Sequence, residues 1–512
     1  MNQVLNNIRA NQTIIIEKDQ SNHEKINQPI RNKGDGQMKP LFISKQNDYD
    51  DFEQEILLPY KLSELGPALA KGDINNDGLE DFYVGGASDQ SGQLFVQNKR
   101  GNWIKQNGPW QLETDQEEVG ALFLDIDNDG NQDLYIASGS NEFEIGDKAL
   151  VDRLYMGDGK GGFKPGQALD FINTSTKAIA PFDIDGDGDL DLFVGGRLKQ
   201  RSYPLPAKSY LLINEGGILI NSTHKMPNDG EIGMVTGATW FDNSHGNLDL
   251  WVVGEWMPIT TFRWMEGELR EVDNGLQETV GLWQSIHCFD IDGDGDKDLI
   301  AGNFGLNSKF KANQDKILHL FANDFDGNGT LDIVLGNEQS NILYPVRGRE
   351  CSSQQMPAIK KNFATYNEFA SATLQEIYSI EKLESGFHSK LDELSSVCLI
   401  NNDSTFKVLP LPRLAQISAV QAIVPVGNGK KGKSEYLVYG NLYETEVETT
   451  RLDGSYGVLL SWEEGKLSAN PISSLGLSVR GNVKSAIRIK GLSERIIVGR
   501  SNAPLKILDL KG

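Results

Sequence analysis

The chain has 512 residues, of which 38% are hydrophobic, and a formal net charge of −23. That length suits one large domain or several of ordinary soluble composition, and the excess of acid argues against nucleic acid or an anionic membrane as partner. No run of about 18 apolar residues exists, so no transmembrane helix is expected.

Residues 1–38 are polar apart from Thr13-Ile14-Ile15-Ile16, and composition alone allows a disordered tail. Met1 to Asn7 contain no apolar core, so no signal peptide is visible. The lead-in that follows carries Asp51-Phe52 and Leu57-Leu58-Pro59-Tyr60-Lys61-Leu62-Ser63.

A nine-residue unit then recurs. Its first copy places Asp73, Asn75, Asp77 and Asp81 at positions 1, 3, 5 and 9, with Gly78 at 6. Calcium takes six to eight oxygens, one of them a backbone carbonyl, here that of Leu79 at position 7; the glycine permits the sharp turn. The second copy offers Asp125, Asp127, Asp129, Asn131 and Asp133, the third Asp183, Asp185, Asp187, Asp189 and Asp191. The fourth offers Asp290, Asp292, Asp294, Asp296 and Asp298, the fifth Asp324, Asp326, Asn328, Thr330 and Asp332. Each runs into an apolar stretch such as Leu192-Phe193-Val194-Gly195-Gly196, which reads as a buried strand rather than an EF-hand helix. About five calcium sites are expected. Worn copies ending at Asp249, Glu435 and Glu494 keep the strand; the first is one residue short and lacks the acids at 3 and 5, the other two have Glu in place of the ninth-position Asp, and no metal is expected at any of them.

The ninth-position acids fall mostly 49 to 59 residues apart, the size of a four-stranded propeller blade. The interval from Asp298 to Asp332 is short, so one blade is trimmed or two units share strands, and the count is seven or eight blades. At about 354–392 the pattern breaks. Ile359, Phe363, Tyr366, Ala370, Leu374 and Ile377 follow a helical spacing, which predicts one amphipathic helix inserted in an all-β propeller over 39–512. The three cysteines are Cys288, a core thiol in a strand, and Cys351 and Cys398, which flank the insertion and could bridge.

The repeated loop and strand resemble the FG-GAP, or VCBS, repeat of integrin α propellers and many bacterial surface proteins, over roughly 55–512. Asp152-Arg153-Leu154-Tyr155, Gly254-Glu255-Trp256-Met257-Pro258 and Gly302-Asn303-Phe304-Gly305-Leu306-Asn307-Ser308-Lys309 resemble the bacterial branch associated with UnbV/ASPIC domains. Ile8 to Ile14 resemble the closing strand of such a domain, so the chain is expected to begin at the tail of an upstream unit. The resemblance implies a calcium-bearing propeller used for binding, extracellular, at the cell surface or periplasmic.

Past each repeat strand lie Arg197, Glu255, Trp256 and Asn303, and further on Asn337, Asn441, Arg500 and Asn502. Equivalent places on successive blades would line one rim or channel, suited to carbohydrate or protein; the alternative is that these groups cap strands. No nucleophile elbow, zinc-protease helix or phosphate loop is present. The expected function is therefore a non-catalytic binding or adhesion module. The alternative is a polysaccharide lyase or hydrolase built on the same propeller.

Overall fold

A computed structural model describes residues 40–242, 248–402, 405–427 and 433–510. The N-terminal segment 1–38, and with it the stretch likened to an upstream domain, lies outside the described residues. The strands after the first four loops are buried along their whole length, as in Asp133–Ser138 and Asp191–Leu198, whereas outermost strands such as Phe163–Ala168 are largely exposed. A strand buried on both faces needs a sheet packed against each face, and a ring of radially arranged sheets supplies them.

The described strands form eight antiparallel sheets. Seven follow one another around the ring through their innermost strands: Leu69–Gly72, Glu118–Leu124, Ser175–Phe182, Met234–Asp242, Ser285–Phe289, Ala422–Pro425 and Asn482–Ile489. Between the fifth and sixth the contact includes Val420 N–H donating to the Asn303 carbonyl at 3.0 Å and Gln421 Nε2 to Gln284 Oε1 at 2.8 Å. The ring closes where Ser485 Oγ donates to the Pro67 carbonyl at 2.8 Å. The start of the described chain returns to the last blade, with Leu505 N–H donating to the Phe42 carbonyl at 2.9 Å.

The eighth sheet is not a ring blade. Its strands, in sheet order Ile342–Pro345, Asp332–Gln339, Leu318–Asn323 and Phe387–Leu391, lie in the chain between the second strand (Asp298–Gly302) and the third (Val397–Asn402) of blade five. Leu318, Leu320, Ile333 and Leu335 join one apolar cluster with Tyr60, Leu62 and Leu65 of the lead-in and with Val119, Leu198, Met234, Leu282 and Leu442 from the ring. The sheet thus caps one end of the ring, at the ends of the repeat strands. This accounts for the short interval from Asp298 to Asp332: the fifth loop belongs to an insertion nested in blade five, neither a trimmed blade nor one sharing strands.

The insertion also holds five short helices in place of the single predicted one: α1 (Arg349–Gln355), α2 (Ala358–Asn362), α3 (Tyr366–Ser371), α4 (Leu374–Ile377) and α5 (Ile380–Ser385). Capping boxes at Thr365 with Glu368 and at Thr373 with Glu376 start new helices inside the predicted one. Tyr366 and Ala370 are exposed, while Ile359, Phe369, Leu374 and Leu383 pack on Phe321 and Val334, the face of the cap sheet turned away from the ring. All three cysteines are free thiols, so Cys351 and Cys398 do not bridge.

Candidate metal loops and binding face

In every intact loop two positions adopt left-handed backbone. Position 4 is Asn76, Asn128, Gly186, Gly293 or Gly327, with φ between 55 and 81°. Position 6 is Gly78, Gly130, Gly188, Gly295 or Gly329, with φ between 83 and 105°. A Cβ at Gly78, Gly130, Gly188, Gly295 or Gly329 would meet nothing within 4 Å, so conformation and not space selects glycine there. The restriction of position 4 to Asn or Gly is a signal that the spacing of acids did not reveal.

These turns fold the acids together. Oxygens of Asp125, Asp127 and Asp133 lie within 4.8 Å of one another, as do those of Asp183, Asp185 and Asp191, of Asp324, Asp326 and Asp332, and of Asp290, Asp292 and Asp294. An all-oxygen set of converging carboxylates fits a hard cation such as calcium. The first loop has Asn75 at position 3 and forms no three-acid group. The position-5 side chains bend back on their own loops: Oδ1 of Asp77, Asp129, Asp187, Asp294 and Asn328 each accepts the N–H of position 7, namely Leu79, Asn131, Asp189, Asp296 and Thr330. Asp189 itself turns outward and accepts from Asn128 Nδ2 of the neighbouring loop at 2.6 Å.

The ninth-position acid has a second task. Asp191 Oδ2 accepts the Ile184 N–H at 2.7 Å and its Oδ1 accepts the Asn214 N–H of the third strand at 2.7 Å. Asp81 repeats this with Ile74 and Gln97, Asp133 with Ile126 and Gly157, and Asp298 with Ile291 and Asn401. The carboxylate ties the loop to the next hairpin. In the cap, Asp332 Oδ2 holds Phe325 N–H at 2.8 Å, but its Oδ1 has no protein partner. In the worn copy of blade four the acid survives as Asp249, gripped by Arg263 at 2.6 and 2.8 Å. Burial first, and the neighbouring acids after it, push Asp81 up to about 7 and Asp133, Asp191, Asp298 and Asp332 up to about 6. A bound cation relieves that repulsion.

The residues expected on a shared rim lie under the cap. Arg197 and Glu255 are each 1% exposed and form an ion pair, and Tyr60 donates its hydroxyl to the same carboxylate. Trp256 donates through Nε1 to Tyr203 Oη at 2.6 Å within the cap cluster. These three come together, but in the interior. Asn303 is fully buried elsewhere: Oδ1 accepts the Leu282 and Phe304 N–H groups, and Nδ2 donates to the Glu393 carbonyl at 3.1 Å. Asn441 likewise satisfies backbone, at Ser455 and Gly481. Of the two expectations, Asn303 and Asn441 follow strand capping, and the rim reading is corrected for Arg197, Glu255 and Trp256, which the cap sheet covers.

An open cavity exists at the same end of the ring, outside the cap. It has a volume of about 740 Å³ and is lined by Asp89, Asp115, Gln116, Glu142, Phe143 and Asp147, from the segments following the repeat strands of blades one and two and preceding blade two. Glu142 is held by Ser88 and by Asn47 Nδ2 at 2.7 Å. These residues lie in irregular segments without repeat spacing, so sequence reasoning missed them.

Residues 73–136 and 125–194 match the FG-GAP-like repeat. Integrin alpha-4 of Xenopus laevis is 28% identical over 172 residues, covering 30% of this chain and 16% of that protein's length. Among solved structures, YCF48 bound to D1 peptide aligns over 92% of this chain and 98% of its own, at 9% identity and a TM-score of 0.41. The Vibrio cholerae biofilm matrix protein Bap1 aligns over 92% and 90%, at 10% identity and a TM-score of 0.33. AofleA of Arthrobotrys oligospora aligns over 81% and 88%, at 10% identity and a TM-score of 0.37. These likenesses are weak, and the fold rests on the chain's own sheets. No helix among the described residues is long and apolar enough to cross a membrane. With FG-GAP-like repeats matched over residues 73–194 and seven of its described sheets closed into a ring, the protein is a β-propeller that carries FG-GAP-like repeats.

Proposed function

We propose that this propeller is a non-catalytic, calcium-stabilised module that binds carbohydrate or protein outside the cytosol. The observation that carries the reading is the set of converging carboxylate loops, which suit the calcium levels of the extracellular space. The partial likeness to integrin alpha-4 supports it.

The open cavity between blades one and two is the place for the ligand. Its acids and the Gln116 amide accept hydrogen bonds from sugar hydroxyls or from lysine and arginine side chains, and Phe143 offers an apolar surface. A lyase would call for a cationic cleft, whereas this one has Lys148 among four acids, which favours binding.

Glycan and peptide arrays probed with calcium-loaded protein test the reading. A hit should weaken at least tenfold, roughly 1.4 kcal/mol, in Asp89→Asn combined with Asp115→Asn, with calcium-dependent melting unchanged. Silence on both arrays, or a double variant that binds as tightly as the parent, would refute the proposal.

A further inference from the structure

The innermost strands carry a bulge at one repeated place. Glu118 pairs with Ser138 and Gly120 with Ala137, leaving Val119 unpaired; Lys177, Thr236 and Lys484 are left out in the same way in blades three, four and seven. A bulge re-aims the extra side chain. On an innermost strand these positions turn toward the axis, and Val119 duly packs under the cap. The matching positions of blades five and six are Gln284 and Gln421, which are hydrogen-bonded to each other. The equivalent positions of blades two to seven are therefore a valine, two lysines, two glutamines and a threonine.

The two lysines lie on blades three and seven, and each feels the positive charge of Arg197; Lys177 also feels that of Lys484. Among the described residues neither amine has a hydrogen-bond or ion-pair partner. Lys484 has Glu64, Glu117 and Glu444 within electrostatic reach, but for Lys177 only cations act, and burial together with them lowers its amine to about 7. Arg197 is incomplete as well. Its Nη2 serves Glu255 and Tyr60, while its Nε and Nη1 are buried with no partner. Unmet buried N–H groups beside an unpaired ammonium are costly, and a single anion relieves both.

We propose that the axial channel beneath the cap binds a small oxyanion between the Lys177 amine and the free N–H groups of Arg197. Carboxylates and tetrahedral oxyanions share the required chemistry: several acceptor oxygens and one negative charge or more. Lys177 is partly exposed, whereas the Arg197 end of the site is closed, at 1% exposure.

The test titrates the calcium-loaded protein with sulfate and, separately, acetate, replacing chloride at constant ionic strength. Melting temperature is followed together with the NMR signal of ¹³C-methylated lysine. A saturable rise in melting temperature with a shift of the Lys177 signal is expected for at least one anion, and the anion that acts names the class. Lys177→Met should abolish the response and Lys177→Arg should keep it; the Lys177 signal reads binding in the parent protein even if the methionine variant fails to fold. No saturable response to either anion, a Lys177 signal that does not move, or an undiminished response in Lys177→Met would overturn the proposal, leaving water as the occupant.

Discussion

Asp152 shows how one buried carboxyl joins two blades. It is 1% exposed, and it accepts from Tyr135 Oη at 2.8 Å and Ser138 N–H at 2.9 Å in its own blade and from Thr176 Oγ1 at 2.6 Å in the next. Burial outweighs these bonds and lifts its pKa to about 7. A raised carboxyl pKa means the native state keeps a proton that the unfolded chain has lost. The stabilisation is full below about pH 4 and disappears as pH rises through 7. Asp152→Asn keeps the shape and both acceptor contacts of one oxygen, and the Tyr135 hydroxyl can reorient to accept from the new amide. Denaturant titrations in saturating calcium should therefore show the parent losing about 1–3 kcal/mol relative to the variant between pH 6 and 8.5. Parallel pH profiles would show that the carboxyl stays ionised throughout. A second residue-scale expectation concerns Gly188, whose φ of 99° no L-residue holds without strain. Because a Cβ there meets open space, Gly188→Ala should cost only the conformational penalty, about 1–2 kcal/mol by denaturant titration.

Within the loop-and-strand unit, Asp185 belongs to the candidate cation group alone, whereas Asp191 belongs to that group and also anchors the hairpin. Asp185 is exposed, whereas Asp191 is buried and holds two backbone amides. Asp185→Ala should lower stability in calcium and leave it unchanged in chelator. Asp191→Ala should cost about 2–4 kcal/mol even in chelator, since two buried N–H groups lose their acceptor, and more in calcium. Equal losses in calcium alone would assign both residues to the metal only. The loop itself was legible because its chemistry is local: acids at fixed offsets, a glycine at position 6 and a β-branched strand behind. The anchoring role of the ninth acid was not, because Gln97, Gly157, Asn214 and Asn401 reach it from strands at distances that vary from blade to blade. The cap helices were half legible. The 3- and 4-residue spacing announced helix, but Thr365 and Thr373, each with a glutamate three residues on, are start signals that should have divided it. Burial of Arg197 and Glu255 could not be read at all, since an Arg and a Glu past a strand look the same whether solvent or another sheet lies above them.

Across the whole molecule, five loops carry a hard-cation donor pattern, and calcium titration should count about five weak sites, about 10⁻⁴ to 10⁻³ M, with chelation lowering the melting temperature. The loop of Asp324 belongs to the cap. Lys382 of α5 donates to the Asp324 and Phe325 carbonyls at 3.0 and 2.9 Å, and Gln355 of α1 accepts the Ile333 N–H at 3.0 Å. Asp326→Ala should thus speed tryptic cleavage at Lys360 and Lys361 while the ring stays resistant, read by mass spectrometry of timed digests. Ring and cap cut together would mean that the fifth loop does not support the cap separately.

The nesting of the cap inside blade five also dictates an order of assembly. The second strand of that blade ends at Gly302, and the strand that must pair with it begins at Val397. Everything between must collapse into a compact body, or wait as a long open loop, before blade five can finish. Loop-closure entropy grows only slowly with length, so the delay is less in stability than in search time. Blades one to four can form as each hairpin leaves the ribosome, whereas the cap finds its full seat only once the Tyr60 segment, blades two to four and, after blade five, Leu442 and Leu452 of blade six present theirs. Blade five is therefore the last of the early blades to finish, and the place where a nascent chain stays longest exposed to chaperone or protease.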